Sequence, residues 1–320
     1  MTSPMPSSAP DQPSSSGNRL VLVVYTAAIF TSALLLFSVQ PLFTKMVLPR
    51  LGGSPAVWSV AMVFFQSLLL GGYAYAHYLM KLRNRIVPVV IHLALLVVAL
   101  LTLPLSIAAG WGEPPSSGYA VWLLTLFAVS IGLPFFALAA NNPLLQAWFV
   151  RTGHPAGPDP YFLYASSNIG SFLALLSYPV LLEPMLTLRT QNLLWTGGYG
   201  LLILLIAGCG VLLLRSPPVS IVAADDDASA PAPEWALRLR WIFLAAVPSG
   251  LLIAVTAHIS TDIAAAPLLW VLPLSLYLLT WVLVFQSRPL LPHWSRHRSN
   301  IHPRDSVCAS VAALRWNPVQ

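Results

Sequence analysis

Charge is what this sequence has least of. Only 8% of its 320 residues are Asp, Glu, Lys or Arg, against roughly 25% in soluble globular proteins. Sixteen basic and ten acidic side chains cannot cover the surface of a soluble 34.6 kDa protein, which excludes the pair of soluble domains this length would otherwise suggest. Cysteine is equally scarce. Cys209 and Cys308 are the only two, so a disulfide scaffold is excluded. Enzyme signatures are missing as well: no G-x-G-x-x-G after a strand, no P-loop, no H-E-x-x-H and no G-x-S-x-G. What remains is apolar. Hydrophobic residues make up 57% and the mean hydropathy is +0.75, which excludes disorder for the bulk of the chain. The expectation is an integral membrane protein without catalytic residues or cofactors.

A helix needs about 20 apolar residues to cross the hydrocarbon core. Eight uncharged stretches meet that length, near 20–40, 55–79, 86–109, 119–140, 161–182, 193–214, 241–260 and 264–285. They predict an all-α, polytopic transmembrane bundle of about eight spans. The first stretch is too long for a signal-peptide core, and residues 1–19 ahead of it are Pro/Ser-rich without a basic cluster, so a flexible tail before a retained helix is expected.

Lys and Arg in the loops set the orientation. Arg19, Lys81, Arg83, Arg85, Arg151, Arg215, Arg238 and Arg240 fall on one side, with Arg288, Arg296, Arg298, Arg304 and Arg315 in the tail. Lys45, Arg50 and Arg189 fall on the other. Both termini are therefore predicted to be cytoplasmic. This topology accounts for the net charge of +6, and nucleic-acid binding is not needed to explain it.

The expected organisation is a tail over 1–19, a six-helix bundle over 20–214, a cytoplasmic linker over 215–240, two further helices over 241–285 and a basic tail over 286–320. The linker carries Pro217-Pro218 and Asp225-Asp226-Asp227. Six helices followed by a charged linker is the layout of one half of a major-facilitator-type transporter. No internal repeat is evident. The final tail holds five Arg and three of the seven His without helical periodicity. Two readings of it stand: a basic cytoplasmic tail, or a stretch out of frame after a truncation. His293, His297 and His302 have a spacing open to metal, but no carboxylate or thiolate cluster accompanies them.

No Asp, Glu, Lys or Arg lies mid-span, which counts against a carboxylate-driven pump. The polar residues that do lie in spans form three groups. Tyr161, Tyr164, Asn168, Ser171 and Tyr178 share one face of the fifth helix. That face is read either as a cavity wall, where tyrosines hold an organic cation, or as a helix–helix seam helped by Ser166 and Gly170. Ser59, Gln66 and Tyr73 repeat at heptad spacing on the second helix, with His77 one turn on, and the same two readings apply. The fourth helix is expected to end in Asn141-Asn142-Pro143, where freed carbonyls could face a substrate. Asp262 and Glu183 are placed at non-cytoplasmic ends, as cation acceptors or as solvated loop acids.

Several segments together resemble one family: Ser38–Trp58, Phe64-Phe-Gln66 with Gly71–His77, Pro143–Trp148, Asp159–Asn168, Pro248-Ser-Gly250 with Thr261-Asp262, and Pro267–Trp270. They are similar to the membrane region of bacterial fused proteins that join a major-facilitator-like domain to a spermidine-synthase-like domain. The resemblance spans about residues 20–290 and implies a bacterial inner-membrane protein. The synthase-like domain, with its glycine-rich nucleoside loop, has no counterpart in this sequence, so no catalytic residue is carried over. The expected function is binding or moving a small polar metabolite, a polyamine-like amine being the candidate. The alternatives are a membrane anchor or scaffold, or a truncated product without function. The lipid bilayer is the expected partner, and the oligomeric state is left open.

Overall fold

The computed structural model describes residues 15–51, 55–82, 84–107, 111, 115, 117–157, 160–217, 234–259 and 271–284. Every regular element among them is helical. In chain order these are α1 (Ser15–Leu51), α2 (Pro55–Met80), α3 (Ile86–Leu100), α4 (Tyr119–Phe127), α5 (Leu133–Arg151), α6 (Tyr161–Ser177), α7 (Glu183–Met185), α8 (Leu188–Arg215), α9 (Trp235–His258) and α10 (Val271–Val284). A π-helical turn, Ala128–Gly132, joins α4 to α5, and a second, Tyr178–Leu182, joins α6 to α7. Among the described residues, six continuous helical stretches are long and apolar enough to cross a membrane, the six being Gly17–Pro49, Ser59–Met80, Tyr119–Arg151, Phe162–Met185, Leu188–Arg215 and Trp235–His258. Of the other two predicted spans, α3 is a short helix of 15 residues, and α10, of 14, is the described part of 264–285. The tails, residues 218–233 of the linker and the His293–His302 group lie outside the described residues.

Proline decides where the helices differ from expectation. The helix predicted over 86–109 stops at Leu100, because Pro104 has no N–H to continue it and disfavours helical backbone in the residue before it. The chain beyond stays satisfied: Asn192 accepts from the Leu105 N–H at 3.0 Å and donates to its carbonyl at 2.6 Å. Asn141-Asn142-Pro143 does not end its helix, which runs on to Arg151. Pro143 is tolerated because neighbouring helices enclose α5 on most of its surface and supply polar partners. Both π turns lie beside proline, Pro134 in one case and Pro179 in the other, where a widened turn relieves the missing bond. Gln191 closes the second of these ends, donating to the Leu182 and Leu186 carbonyls at 3.0 and 2.9 Å.

α1 and α5 form the centre. α1 packs on α5, α6 and α8, and α5 also meets α2, α3 and α8. The core around them holds Tyr25, Ile29, Phe43, Phe127, Phe135, Leu144, Trp148 and Phe149, all essentially without solvent contact. Close approach is set by small residues. A Cβ on Gly170 would lie 2.7 Å from the Phe30 carbonyl of α1, and one on Gly72 would lie 2.7 Å from Ala139 Cβ of α5. Both are seams in which two backbones touch. α10 rests on α6 and α9, while α9 buries no side chain.

Hydrogen bonds fix which helix ends share a side. At one end Arg151 donates to the Met80 carbonyl at 2.7 Å, Arg85 to the Ser216 carbonyl at 3.3 Å, and His154 Nε2 lies 3.1 Å from the Asn18 carbonyl. The start of α1, the end of α2, the start of α3 and the ends of α5 and α8 therefore lie together. At the opposite end Lys45 meets Glu183 and Leu105 meets Asn192. The loop cations segregate accordingly, most of them at the first end.

Candidate functional site

Adjacent residues on a helix point about 100° apart, so Asn141 and Asn142 serve different neighbours. Asn141 has no solvent contact and faces α1 and α3. Its Nδ2 donates to Ser32 Oγ at 2.9 Å, and its Oδ1 lies 2.7 Å from His92 Nε2. With the amide nitrogen committed to Ser32, Oδ1 is an acceptor and His92 Nε2 carries the hydrogen. His92 is fully buried. Its ring centre lies 6.0 Å from that of Tyr75 on α2 and 6.3 Å from that of Trp148 on α5, the latter nearly perpendicular at 89°. Among the described residues, His92 Nδ1, Tyr75 OH and Trp148 Nε1 are buried without a hydrogen-bond partner.

Asn142 faces α6. Its Nδ2 donates to Ser167 Oγ at 3.1 Å, and Gln146, one turn later on α5, donates to its Oδ1 at 2.9 Å. Ser171 Oγ donates to the Ser167 carbonyl at 2.9 Å. Asn168 stands half-buried on the same helix. Tyr164, on the same helix, and Tyr73, on α2, are 52% and 44% exposed. α5 lies next to both helices, because it packs on α2 and reaches α6 through Asn142.

The residues singled out from sequence thus divide. Asn142 and Ser171 meet at Ser167 in the α5–α6 contact, Asn168 is half-buried and Tyr164 exposed on α6, and Tyr73 is exposed on α2. Asn141 belongs to the buried His92 centre instead. Gln66 and His77 are exposed on α2, and the His77 ring meets Tyr78 edge-on at 5.6 Å. Tyr178 is buried and donates to Gln191 Oε1 at 2.9 Å, which makes it part of the second π turn's support. Tyr161 opens α6, but its side chain lies outside the described residues, as does all of Asp262. Glu183, partly exposed, pairs with Lys45 at 2.5 Å.

Sequence reasoning passed over His92, Gln146, Ser32, Tyr75 and Trp148. The signal for His92 was present, as the one ionisable side chain inside the apolar run 86–100. A rule that looks only for Asp, Glu, Lys and Arg misses it. Ser166 and Gly170 lie in the α1–α6 seam, where Ser166 Oγ donates to the Thr26 carbonyl at 3.1 Å. Beside it runs a groove of 320 Å³ lined by Leu22, Val23, Thr26, Ala27, Phe30 and Ser166, whose lining suits an acyl chain better than a polar solute. Among the described residues no three of His, Cys, Asp and Glu gather as metal ligands. No family model, no curated protein and no solved structure matches this chain.

Proposed function

We propose that this chain is a multi-pass membrane protein that binds a small polar or cationic solute, an amine of the polyamine kind, between α2 and α6. The observation that carries the reading is the exposure of Tyr73 on α2 and Tyr164 on α6, the two helices that α5 adjoins through its packing and through Asn142. Tyrosine faces attract an ammonium group by their negative π surface. Amide oxygens accept its hydrogens, and neither helix presents a fixed cation to repel it. The proposal extends to the resemblance noted above: the helices correspond to the major-facilitator-like region of bacterial fused proteins, lie in the inner membrane and keep both termini in the cytoplasm.

A second reading, a membrane anchor or scaffold, is favoured by one observation. Asn142 and Gln146 already satisfy one another and Ser167, as packing residues would. One experiment separates the two. Purified chain in detergent is titrated with spermidine, and unfolding is followed by tryptophan fluorescence. Solute binding raises the midpoint as ligand saturates, by about 2.7 kcal/mol at a hundredfold excess over Kd, and Tyr73→Leu with Tyr164→Leu removes the effect. No shift in the parent chain leaves the anchor reading standing.

A further inference from the structure

His92 is the only Asp, Glu, Lys, Arg or His side chain that is buried among the described residues. It sits seven residues beyond Arg85, about 10 Å into the bundle from that end at 1.5 Å per residue. An ionisable group at such depth is costly to hide in hydrocarbon, and those that persist there mark proton relays and ion paths. Three features make this imidazole more than a packed ring. Its tautomer is set by the Asn141–Ser32 chain, which holds the hydrogen on Nε2. That leaves Nδ1 as a bare acceptor without a partner. And Tyr75, on the adjoining ring, has an equally unbonded phenol oxygen.

We propose that His92 is a proton-binding site inside the bundle. A proton from water adds to the Nδ1 lone pair and converts the neutral ring to an imidazolium with one added positive charge. Nε2–H keeps its bond to Asn141. The aromatic rings of Tyr75 and Trp148 flank the charge on two sides and attract it through their π faces.

The surrounding charges allow this assignment. α2 contributes Tyr75 as its titratable group, and α5 contributes only the neutral Asn141 and Trp148. α8, packed along α3, buries Tyr199 and Cys209, and α1 buries Tyr25, whose hydroxyl is bound to the Cys209 carbonyl at 3.0 Å. Arg85 and Arg151, at the near end, are engaged with backbone carbonyls. No carboxylate competes for the proton. The proposal does not depend on solute binding and is tested without any solute.

The test is nitrogen NMR of the whole chain, labelled with 15N-histidine, in detergent micelles between about pH 3 and pH 8, a window that reaches below the range in which imidazole ordinarily titrates. The His92 signals are recognised as those protected from a water-soluble relaxation agent and absent from His92→Gln. The expected result is a single Nε2–H tautomer at high pH whose Nδ1 gains a proton within this range. Tyr75→Leu then lowers the midpoint by about half a unit or more, a threefold loss of proton affinity, because the cation loses an aromatic neighbour. The protection criterion identifies the signal even where His92→Gln fails to fold. A protected imidazole that stays neutral throughout overturns the proposal, and so does a midpoint that ignores Tyr75→Leu.

Discussion

Lys45 Nζ and Glu183 Oε2 lie 2.5 Å apart, tying the last turns of α1 to the start of α7. Each side chain is about one-third exposed, 31% and 33%, so water screens part of the attraction. The pair answers a question of placement, because α1 extends well past the span predicted for it and carries Lys45 to the level of the α6–α7 end. Glu183→Gln should therefore cost no more than about 1 kcal/mol, the upper range for exposed ion pairs. Lys45→Glu alone should cost more than that, by setting two carboxylates together, and Lys45→Glu with Glu183→Lys should recover most of the loss. Denaturation midpoints of the four proteins in one detergent decide this. A double variant as unstable as Lys45→Glu would mean that the pair does not form.

Gly170 makes a sharper case, since there is no side chain to remove. Its backbone lies so near the Phe30 carbonyl that a Cβ would sit 2.7 Å from the oxygen, closer than real Cβ contacts come. The obstructing atom is backbone, so it cannot swing aside. Gly170→Val should destabilise by about 1–3 kcal/mol, as overpacking does, and push α6 away from α1. Gly197, where an added Cβ meets nothing within 4 Å, is the control, and Gly197→Ala should change little. Equal effects at the two glycines would show that the α1–α6 seam is looser than described.

Asn141→Leu removes both partners of a chain at once. Ser32 loses its donor, and the His92 Nε2–H is left buried without its acceptor. Leaving a buried group unpaired costs about 1–3 kcal/mol, although hydrogen bonds in helical membrane proteins average nearer 0.6 kcal/mol. A loss between these values is expected. His92→Leu on top of Asn141→Leu should cost less than the two single losses combined, because the unpaired imidazole disappears with it. Strict additivity in that cycle would mean the two side chains do not interact.

Composition made the apolar, all-helical class legible, and apolar run length found the six described helices long enough to cross a membrane. The helix ends were less legible, for reasons that particular residues show. Pro104 ended α3 while Pro143 did not end α5, and the difference is tertiary: α5 lies at the centre, where neighbours enclose it and reach its polar groups. The polar residues were found as helix faces, yet a face does not say which helix it meets. Tyr73 and Tyr164 were chosen on separate helices, and only packing shows that both helices adjoin α5. Asn141 and Asn142 were read as a helix end because they precede proline, whereas their side chains diverge to two different sites. His92 was hidden by its own surroundings, a run of Val, Ile and Leu that reads as plain span.

The orientation across the membrane rests on the same helix ends. The contacts of Asn18 with His154, Met80 with Arg151 and Arg85 with Ser216 place five helix ends on one side. Arg19, Lys81, Arg85, Arg151 and Arg215 belong to those ends, while Lys45, Arg50 and Arg189 belong to the other. A surplus of Lys and Arg in short loops marks the cytoplasmic side. Cysteines placed at single positions should report it, since native Cys209 is buried and Cys308→Ser removes the remaining one. In intact cells, a membrane-impermeant maleimide should label Arg189→Cys and leave Leu82→Cys and Pro217→Cys unlabelled until the membrane is opened. The reverse pattern would invert the orientation and keep the fold. Labelling of Leu82→Cys but not Pro217→Cys would break the common end itself, and with it the pairing of α3 with α8.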